Sequence, residues 1–261
     1  MWVSSLIPPQ AANPSVYNSS MLAFAVIGGA ACVAAGYQTM SPTGQWYGRT
    51  FAGGAKGSRQ LALTFDDGPN DPYTGQLLSI LAKHNVRATF FVIGNFAKRH
   101  PEIVRQTAQA GHVLGNHTLT HPLLIFRSEK EIAGELRDCQ AAVADAAGAH
   151  LNLFRPPFGG RRPAVLRIAR KLGFKTIMWN VPSYDWKALP AAQIERNVAR
   201  RLRGGGVILL HDGSHQQVNA DRTQTVLATD RLIGRCKNEG FEFVTIPEMM
   251  SESREAALAR P

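Results

Sequence analysis

From residue 60 onward the chain alternates short apolar runs with longer amphipathic stretches, and this alternation limits the possible folds more than any other feature. The apolar runs predict seven strands, at residues 61–64, 88–93, 112–115, 153–155, 174–179, 207–210 and 241–245. The amphipathic stretches predict helices at about 73–84, 99–110, 129–147, 163–172, 190–202 and 223–238. Strands and helices in alternation are typical of a parallel α/β sheet or barrel. Because a regular barrel has eight strands, we expect an open or irregular (β/α) barrel with about seven parallel strands.

The size and charge of the chain narrow its organisation and its partners. With 261 residues, 44% of them apolar and 18% charged, the chain accommodates one globular domain and an appendage. We place the domain at 58–250, an apolar segment and linker at 1–57, and a tail at 251–261. The net charge of +10 favours anionic surroundings such as an envelope polymer or anionic lipid. Since no basic tract alternates with aromatic residues, we do not expect nucleic acid as a partner.

An apolar run at residues 21–36 suggests export. No acidic, basic or histidine side chain precedes Arg49. The run is shorter than the roughly 20 residues that span a bilayer, and it matches a signal-peptide core or a short membrane anchor. Prolines and glycines on both sides disfavour the alternative of a helix buried against the domain. We predict an exported protein, either tethered to the membrane through residues 21–36 or secreted to the cell envelope.

Charged and imidazole side chains occur at, or just past, the carboxyl ends of several predicted strands. In parallel barrels those ends meet at one mouth, where ligands and catalytic residues collect. We therefore expect one active site. Its candidate residues are Asp66, Asp67, His117, Arg155, Asp185 and His211.

Asp67, His117 and His121 form a candidate metal site. One carboxylate and two imidazoles give three ligands and leave open positions for water and substrate. Zn²⁺ accepts this set, and Co²⁺, Ni²⁺, Fe²⁺ and Mn²⁺ accept it too. Because Pro122 disfavours helical geometry at the preceding residue, we expect the histidines on a loop or terminal turn. Taken alone, a His-x-x-x-His pair is weak support for a metal, and an Asp-Asp-Gly-Pro sequence is also found in ordinary turns.

If Asp67 binds a metal, Asp66 is free to act as the general base on a water molecule. The guanidinium of Arg155 would hold Asp66 ionised and oriented. The Pro-Pro pair at 156–157 stiffens the next loop and would present the backbone N–H of Phe158 to a developing oxyanion.

His211 is the candidate general acid. Asp185 would keep it cationic, because a carboxylate partner raises the pKa of histidine. The flat face of Trp186 suits stacking against a sugar ring. The alternatives are a structural His–Asp hydrogen bond and a core tryptophan.

These motifs, in order and kind, resemble those of the polysaccharide deacetylases of carbohydrate esterase family 4, which share the NodB homology domain. The resemblance covers about residues 58–250. The motifs that carry it are Thr-Phe-Asp-Asp-Gly at 64–68, His-Thr-Leu-Thr-His at 117–121, Arg-Pro-Pro-Phe at 155–158, Asp-Trp at 185–186 and Leu-Leu-His at 209–211.

The resemblance implies an irregular (β/α) barrel and metal-dependent removal of N-acetyl groups from amino-sugar polymers. It makes Asp66 the base, Arg155 its partner, and Asp185 the support of the acid His211. By the same resemblance Asp67, His117 and His121 hold the metal, most simply Zn²⁺. Leu209 would line the pocket for the acetyl methyl group, with Trp186 as its wall. One departure is Pro182, where the family often has an acid, and we expect a changed loop there.

The leading hypothesis is N-deacetylation of N-acetylglucosamine units in peptidoglycan, a chitin-like oligomer or an exopolysaccharide. Two alternatives stay open. One is hydrolysis of another acyl group, such as formyl or O-acetyl, and the other is a non-catalytic glycan-binding module.

Overall fold

The computed structural model describes residues 19–258, so positions 1–18 of the predicted N-terminal segment and 259–261 of the predicted tail lie outside the described residues. The strands are β1 Gln60–Gly68, β2 Thr89–Val92, β3 Val113–Asn116, β4 Leu153–Phe154, β5 Lys175–Thr176, β6 Val181–Pro182, β7 Gly206–His211 and β8 Glu242–Phe243. The α-helices are α1 Ser19–Met40, α2 Tyr73–Lys83, α3 Gly94–Arg99, α4 Pro101–Gln109, α5 Glu129–Ala147, α6 Pro163–Lys171, α7 Ala191–Ala199, α8 Thr223–Asn238 and α9 Ile246–Leu258.

The strands form one parallel, curled sheet, which confirms the predicted irregular (β/α) barrel. Their order is β5-β4-β3-β2-β1-β7-β6, and β8 pairs with the start of β1. In the described part of the chain, β5 and β6 are the unpaired edges of this order. The segment before β1 bridges the gap, because Phe51 pairs with Ile177 and Gly53 pairs with Gly206. The sheet is therefore an open barrel whose gap is partly covered by the N-terminal linker.

Besides α1, which contains the apolar run, three elements lie outside the predicted strands and helices: β6, α3 and α9. Strand β6 has two residues, and its Pro182 pairs with Leu209 of β7. Proline is tolerated there because β6 is an edge strand. Helix α9 runs through residue 250, which we took as the end of the domain. The domain boundaries themselves stay predictions.

Alternation along β1 separates the inside of the barrel from the helix layer. Leu61, Leu63 and Phe65 belong to the large core that β1 shares with the surrounding helices. Ala62 belongs to a second cluster, with Phe91, Leu153, Ile177 and Val207 of other strands. Since successive side chains of a strand point to opposite faces, Thr64 and Asp66 share the inner face with Ala62. The first acid of the pair thus points into the barrel, near its mouth.

Helix α1 contains the apolar run of residues 21–36. Its described apolar side chains are exposed, with Phe24, Val26, Ile27 and Val33 between 64% and 73% accessible. The alternative of a helix buried along its length is therefore wrong for these side chains. Among the residues that the structure describes, no helix combines the length and apolarity that crossing a membrane requires.

Candidate active site

A β-bulge in β1 brings both adjacent carboxylates to the mouth of the barrel. In a regular strand Asp66 and Asp67 would point to opposite faces. The pairing of β1 with β2 shifts register between Asp66 and Gly68, and Asp67 has a left-handed backbone with φ of 71°. Such a bulge re-aims a side chain. Gly68 is needed behind it, because a Cβ at that position would overlap the carboxylate of Asp212.

The two imidazoles reach Asp67 from the loop after β3. The Nε2 atoms of His117 and His121 lie 3.4 Å and 3.2 Å from Oδ1 of Asp67. Thr118 and His121 have positive φ, so the loop turns sharply and is not helical, as Pro122 predicted. His117 donates from Nδ1 to the carbonyl oxygen of Arg155 at 2.8 Å. A carbonyl can only accept, so in the neutral ring this bond leaves the Nε2 lone pair free to face Asp67.

These three side chains fit a divalent cation. Ligand atoms of Asp67, His117 and His121 all lie within 4.8 Å of one another. Two donors bound at about 2.0–2.1 Å to a tetrahedral ion lie about 3.3 Å apart, which agrees with both measured separations. Oδ1 of Asp67 is buried and has no hydrogen-bond partner among the described residues. A cation between the three would satisfy this oxygen.

The protonation states also suit metal ligation. Burial lowers the pKa of His121 to about 4, so its ring is neutral at physiological pH. Burial raises the pKa of Asp67, but its contacts with His117, His121 and His215 lower it further, and the result lies well below the ordinary value. Metal binding requires a neutral imidazole and an ionised carboxylate.

Arg155 lies beneath Asp66 and is completely buried. Its Nη1 donates to Oδ1 of Asp66 at 2.7 Å and to the hydroxyl of Thr64 at 2.9 Å. Its other nitrogens donate to the carbonyl oxygens of Ile177 and Met178, and Phe91 packs against the guanidinium. Burial lowers the pKa of Arg155 below its usual value. Arg155 therefore fixes the position of Asp66 through a desolvated, charge-assisted pair.

Replacing Arg155 by methionine should destabilise the metal-free protein by about 3–5 kcal/mol, because Asp66 would be left as an uncompensated buried charge. Urea unfolding in chelator measures this loss. Arg167→Met removes an exposed arginine that pairs with Glu129, and it should destabilise the protein far less than Arg155→Met, because water screens an exposed ion pair. Equal losses in the two variants would contradict a structural role for the buried pair.

His211 and Asp185 form a second buried pair on the other side of the mouth. Nδ1 of His211 lies 2.8 Å from Oδ1 of Asp185, and its backbone N–H donates to Oδ2 at 2.7 Å. The hydroxyls of Ser183 and Thr225 also donate to this carboxylate. Burial lowers the pKa of His211, but Asp185 raises it more, to about 9, while the pKa of Asp185 falls. His211 is therefore cationic at neutral pH.

The candidate residues surround one cavity of about 430 Å³. Eight of the ten predicted site residues line it: Asp66, Asp67, His117, His121, Phe158, Trp186, Leu209 and His211. The other two, Arg155 and Asp185, lie behind it and contact Asp66 and His211. Phe158 and Trp186 are 46% and 42% exposed, so they form apolar rims on an otherwise charged cavity. The sequence and the fold thus bring all ten residues to one place.

Backbone strain is concentrated at this cavity. Eight described non-glycine residues have positive φ, and five of them lie in or beside the site: Asp67, Thr118, His121, Phe158 and Tyr184. Left-handed backbone costs about 1–3 kcal/mol for such residues and is typical of functional sites.

His215 and Asp212 also belong to the site, although the sequence patterns did not assign them a role. The His215 ring stacks on His121 with centroids 4.2 Å apart, and its Nδ1 lies 3.4 Å from Oδ2 of Asp67. The only signal in the sequence was its position four residues after His211. Asp212 is buried, its carboxylate lies against Gly68, and it accepts a hydrogen bond from Thr74 at 2.6 Å. Burial raises its pKa to about 7.

Comparison with known proteins identifies the family to which the chain belongs. A family model described as polysaccharide deacetylase matches residues 53–177. A peptidoglycan-N-acetylglucosamine deacetylase of Bacillus cereus is 38% identical over 198 residues, which are 75% of this chain and 70% of that protein. The chain belongs to the polysaccharide deacetylase family, carbohydrate esterase family 4. As a member of it, this chain is an enzyme of the polysaccharide N-deacetylase class.

A second curated relative agrees with this deacetylase in sequence, and a solved structure agrees with it in fold and sequence. A chitooligosaccharide deacetylase of Sinorhizobium fredii is 36% identical over 208 residues, covering 77% of this chain and 97% of the relative. The crystal structure of a peptidoglycan N-acetylglucosamine deacetylase in complex with an N-hydroxybenzamide has a TM-score of 0.71 and 36% identity, over 77% of this chain and 92% of that one.

Pro182 is the position where the sequence predicts a changed loop. It lies on edge strand β6, directly before Ser183, whose hydroxyl donates to Asp185 at 2.9 Å. In this member the carboxylate of Asp185 is oriented by hydroxyl groups from Ser183 and Thr225.

Proposed function

We propose that this deacetylase hydrolyses the N-acetyl groups of N-acetylglucosamine units in an envelope glycan and releases acetate. One divalent cation, most simply Zn²⁺, would be held by Asp67, His117 and His121. The observation that carries the proposal is the buried Asp66, fixed by Arg155 at 2.7 Å with its other oxygen 3.8 Å from Nε2 of His117. The names of the two curated relatives support N-acetylglucosamine polymers as substrates, and Co²⁺, Ni²⁺, Fe²⁺ and Mn²⁺ are alternative ions.

Asp66 is the proposed general base. A cation at this site would polarise the acetyl carbonyl and lower the pKa of bound water towards about 7. Asp66 then accepts a proton from the attacking water. Arg155 keeps the Asp66 carboxylate aimed at that water, because its guanidinium is fixed by four hydrogen bonds to Thr64, Asp66, Ile177 and Met178.

Phe158, Leu209 and Trp186 are the proposed substrate contacts. The left-handed backbone of Phe158 lies in the cavity wall, where its N–H can donate to the developing oxyanion. Leu209 is nearly buried and lines the cavity, so it suits the acetyl methyl group. Trp186 stands edge-on to His211, with ring centroids 5.3 Å apart, and leaves its exposed face to a sugar ring.

His211 is the proposed general acid. Its Nδ1 is held by Asp185, so Nε2 carries the proton that is available to the cavity. Collapse of the tetrahedral adduct breaks the C–N bond, and this proton passes to the departing amine. The products are acetate and a free amino sugar.

The deacetylation rate should fall as pH rises through about 9, where the raised pKa of His211 lies. The His211–Asp185 pair is intact below the ordinary pKa of 6.5, and its charge is lost as pH rises through about 9. In Asp185→Asn the carboxylate no longer raises this pKa, so the basic limb should move towards 6.5. Profiles of kcat against pH for both proteins check this, and an unmoved limb in the variant would assign it to another group.

We also propose that the deacetylase works outside the cytoplasm, tethered through residues 21–36 or secreted. The exposed apolar side chains of α1 and the net charge of +10 support this location. Fractionation of cells that express the full chain tests it, and a purely cytoplasmic distribution would count against it.

Acetate release tests the proposed activity. The full chain, loaded with Zn²⁺ or Co²⁺, is incubated with chitooligosaccharides and with peptidoglycan fragments. N-formyl and O-acetyl analogues serve as competing acyl substrates. Release from an N-acetylated glycan, lost on chelation, is the expected result. Turnover of the analogues alone would favour another acyl hydrolase, and glycan binding without any turnover would favour a non-catalytic module.

A further inference from the structure

One buried arginine, Arg161, joins the end of helix α1 to the short turn at Pro157–Gly159, which contains Phe158. Arg161 is 1% exposed. Its Nη2 donates to the carbonyl oxygens of Ser41 and Gly44, both at 2.6 Å, and its Nη1 donates to that of Gly159 at 3.1 Å. The same side chain therefore contacts the chain just after α1 and the residue next to Phe158.

Backbone contacts strengthen this junction. The N–H of Arg161 donates to the carbonyl oxygen of Thr39 at 3.1 Å, and α1 packs against the short 3₁₀ turn of residues Pro157–Gly159. The Tyr47 hydroxyl bonds to Thr39 at 3.1 Å and to the carbonyl oxygen of Ala35 at 3.3 Å. The end of α1 is thus fastened both to the turn and to the linker that continues into the barrel at Phe51.

Arg161 is not placed there by charge pairing. Among the described residues no carboxylate lies within ion-pair distance of it, and burial lowers its pKa below the usual value. A buried charge that is neutralised only by carbonyl oxygens is costly. Its three hydrogen bonds all serve to join the segment at 39–44 to the turn.

The turn needs such support because it is strained. Phe158 has φ of 58°, a left-handed conformation that bulky residues adopt only when their surroundings impose it. Helix α1 packs against this turn, and the segment at 39–44 accepts three hydrogen bonds from Arg161, so this segment supports the turn from outside.

We propose that Arg161 is a positioning residue: together with residues 39–44 it holds the turn so that the Phe158 N–H points at the oxyanion. The end of the N-terminal helix is then part of the catalytic apparatus and more than a linker to it. The inference rests on the proposed function for the role of Phe158, but the mechanical coupling can be measured without turnover.

Hydrogen exchange followed by mass spectrometry tests the coupling in the full chain. The variants are Arg161→Met and Arg161→Lys. Arg162→Met is the matched control, because the side chain of Arg162 donates to the backbone carbonyl oxygen of Arg127 and not to the segment at 39–44. Arg161→Met should accelerate exchange at residues 155–160 roughly tenfold or more while peptides of β1 stay unchanged. Arg161→Lys should restore part of the protection, and Arg162→Met should match the wild type.

Kinetics give the second readout. In Arg161→Met we expect kcat to fall by roughly 10–100-fold, the size of effect that a misplaced reacting geometry produces. KM and Zn²⁺ affinity should change less than about twofold, since a turn that donates only to the transition state contributes little to ground-state binding. A loss of kcat with faster exchange throughout the barrel would indicate a merely structural role and overturn the proposal.

Tyr47→Phe removes the hydrogen bonds from the linker to Thr39 and Ala35 and changes no residue between 155 and 161. It should also accelerate exchange in the turn, by less than Arg161→Met. If Arg161→Met does not fold, Tyr47→Phe tests the coupling between the segment at 39–44 and the turn. Unchanged exchange at residues 155–160 in Tyr47→Phe would then overturn the proposal. If the wild type releases no acetate from any glycan, the proposed function fails, while the exchange data still test the coupling.

Discussion

Replacing Asp66 by asparagine should lower kcat for deacetylation by about 10²–10⁴-fold, the usual contribution of a general base. Asparagine keeps the shape of the side chain and a partner for Arg155, but it cannot accept a proton from water. KM should change little, because the metal ligands and the cavity rims remain. Acetate release at saturating metal, measured at several substrate concentrations, separates the two constants.

Two controls make the Asp66 result specific. Asp71→Asn removes an exposed acid from the loop after the same motif and should leave kcat unchanged. Zn²⁺ affinity of Asp66→Asn should fall by no more than about 10–100-fold, the cost of losing an outer partner. An Asp66→Asn protein that keeps more than a tenth of its kcat would assign the base to another residue.

Removing the divalent cation should reduce acetate release to background, and added Zn²⁺ or Co²⁺ should restore it. Without a cation the acetyl carbonyl loses its polarising charge, and Oδ1 of Asp67 is left buried without a partner. His121→Gln should weaken metal binding by more than the roughly 10–100-fold that an outer partner contributes. Chelator competition with a coloured indicator measures the affinity.

The histidines of this chain provide matched controls for the metal experiment. His150→Gln changes an exposed histidine outside the site and should leave metal affinity and turnover at wild-type values. His215→Gln removes a contact 3.4 Å from Oδ2 of Asp67, so its loss should fall within the range of an outer partner. Full activity after exhaustive chelation would contradict the proposal that deacetylation requires a divalent cation.

The sequence predicted the barrel and the gathering of the site because both follow from regular patterns. Strand and helix periods determine a parallel sheet, and the carboxyl ends of such strands meet at one mouth. Asp66, Arg155 and His211 follow three different strands and could therefore be placed together before any coordinates. Their adjacent motif residues then identified the family.

Local backbone geometry could not be predicted in the same way. The bulge at Asp67 breaks the alternation of β1, and nothing in the residues around it specifies a left-handed φ. Strand β6 was missed because it has only two residues, one of them a proline, and two residues are too few to show the alternation of apolar and polar side chains that predicts a strand. His215 and Arg161 act through tertiary contacts with residues 148 and 120 positions away, at Asp67 and Ser41, and no local pattern reports such contacts.

X-ray absorption at the zinc edge of the loaded full chain tests the central claim most directly. We expect only nitrogen and oxygen ligands at about 2.0–2.1 Å, with outer-shell scattering from two imidazoles. One imidazole should disappear in His121→Gln, while the spectrum of His150→Gln should equal that of the wild type. Sulfur ligands at about 2.3 Å, or a wild-type spectrum without imidazole scattering, would contradict a cation held by Asp67, His117 and His121.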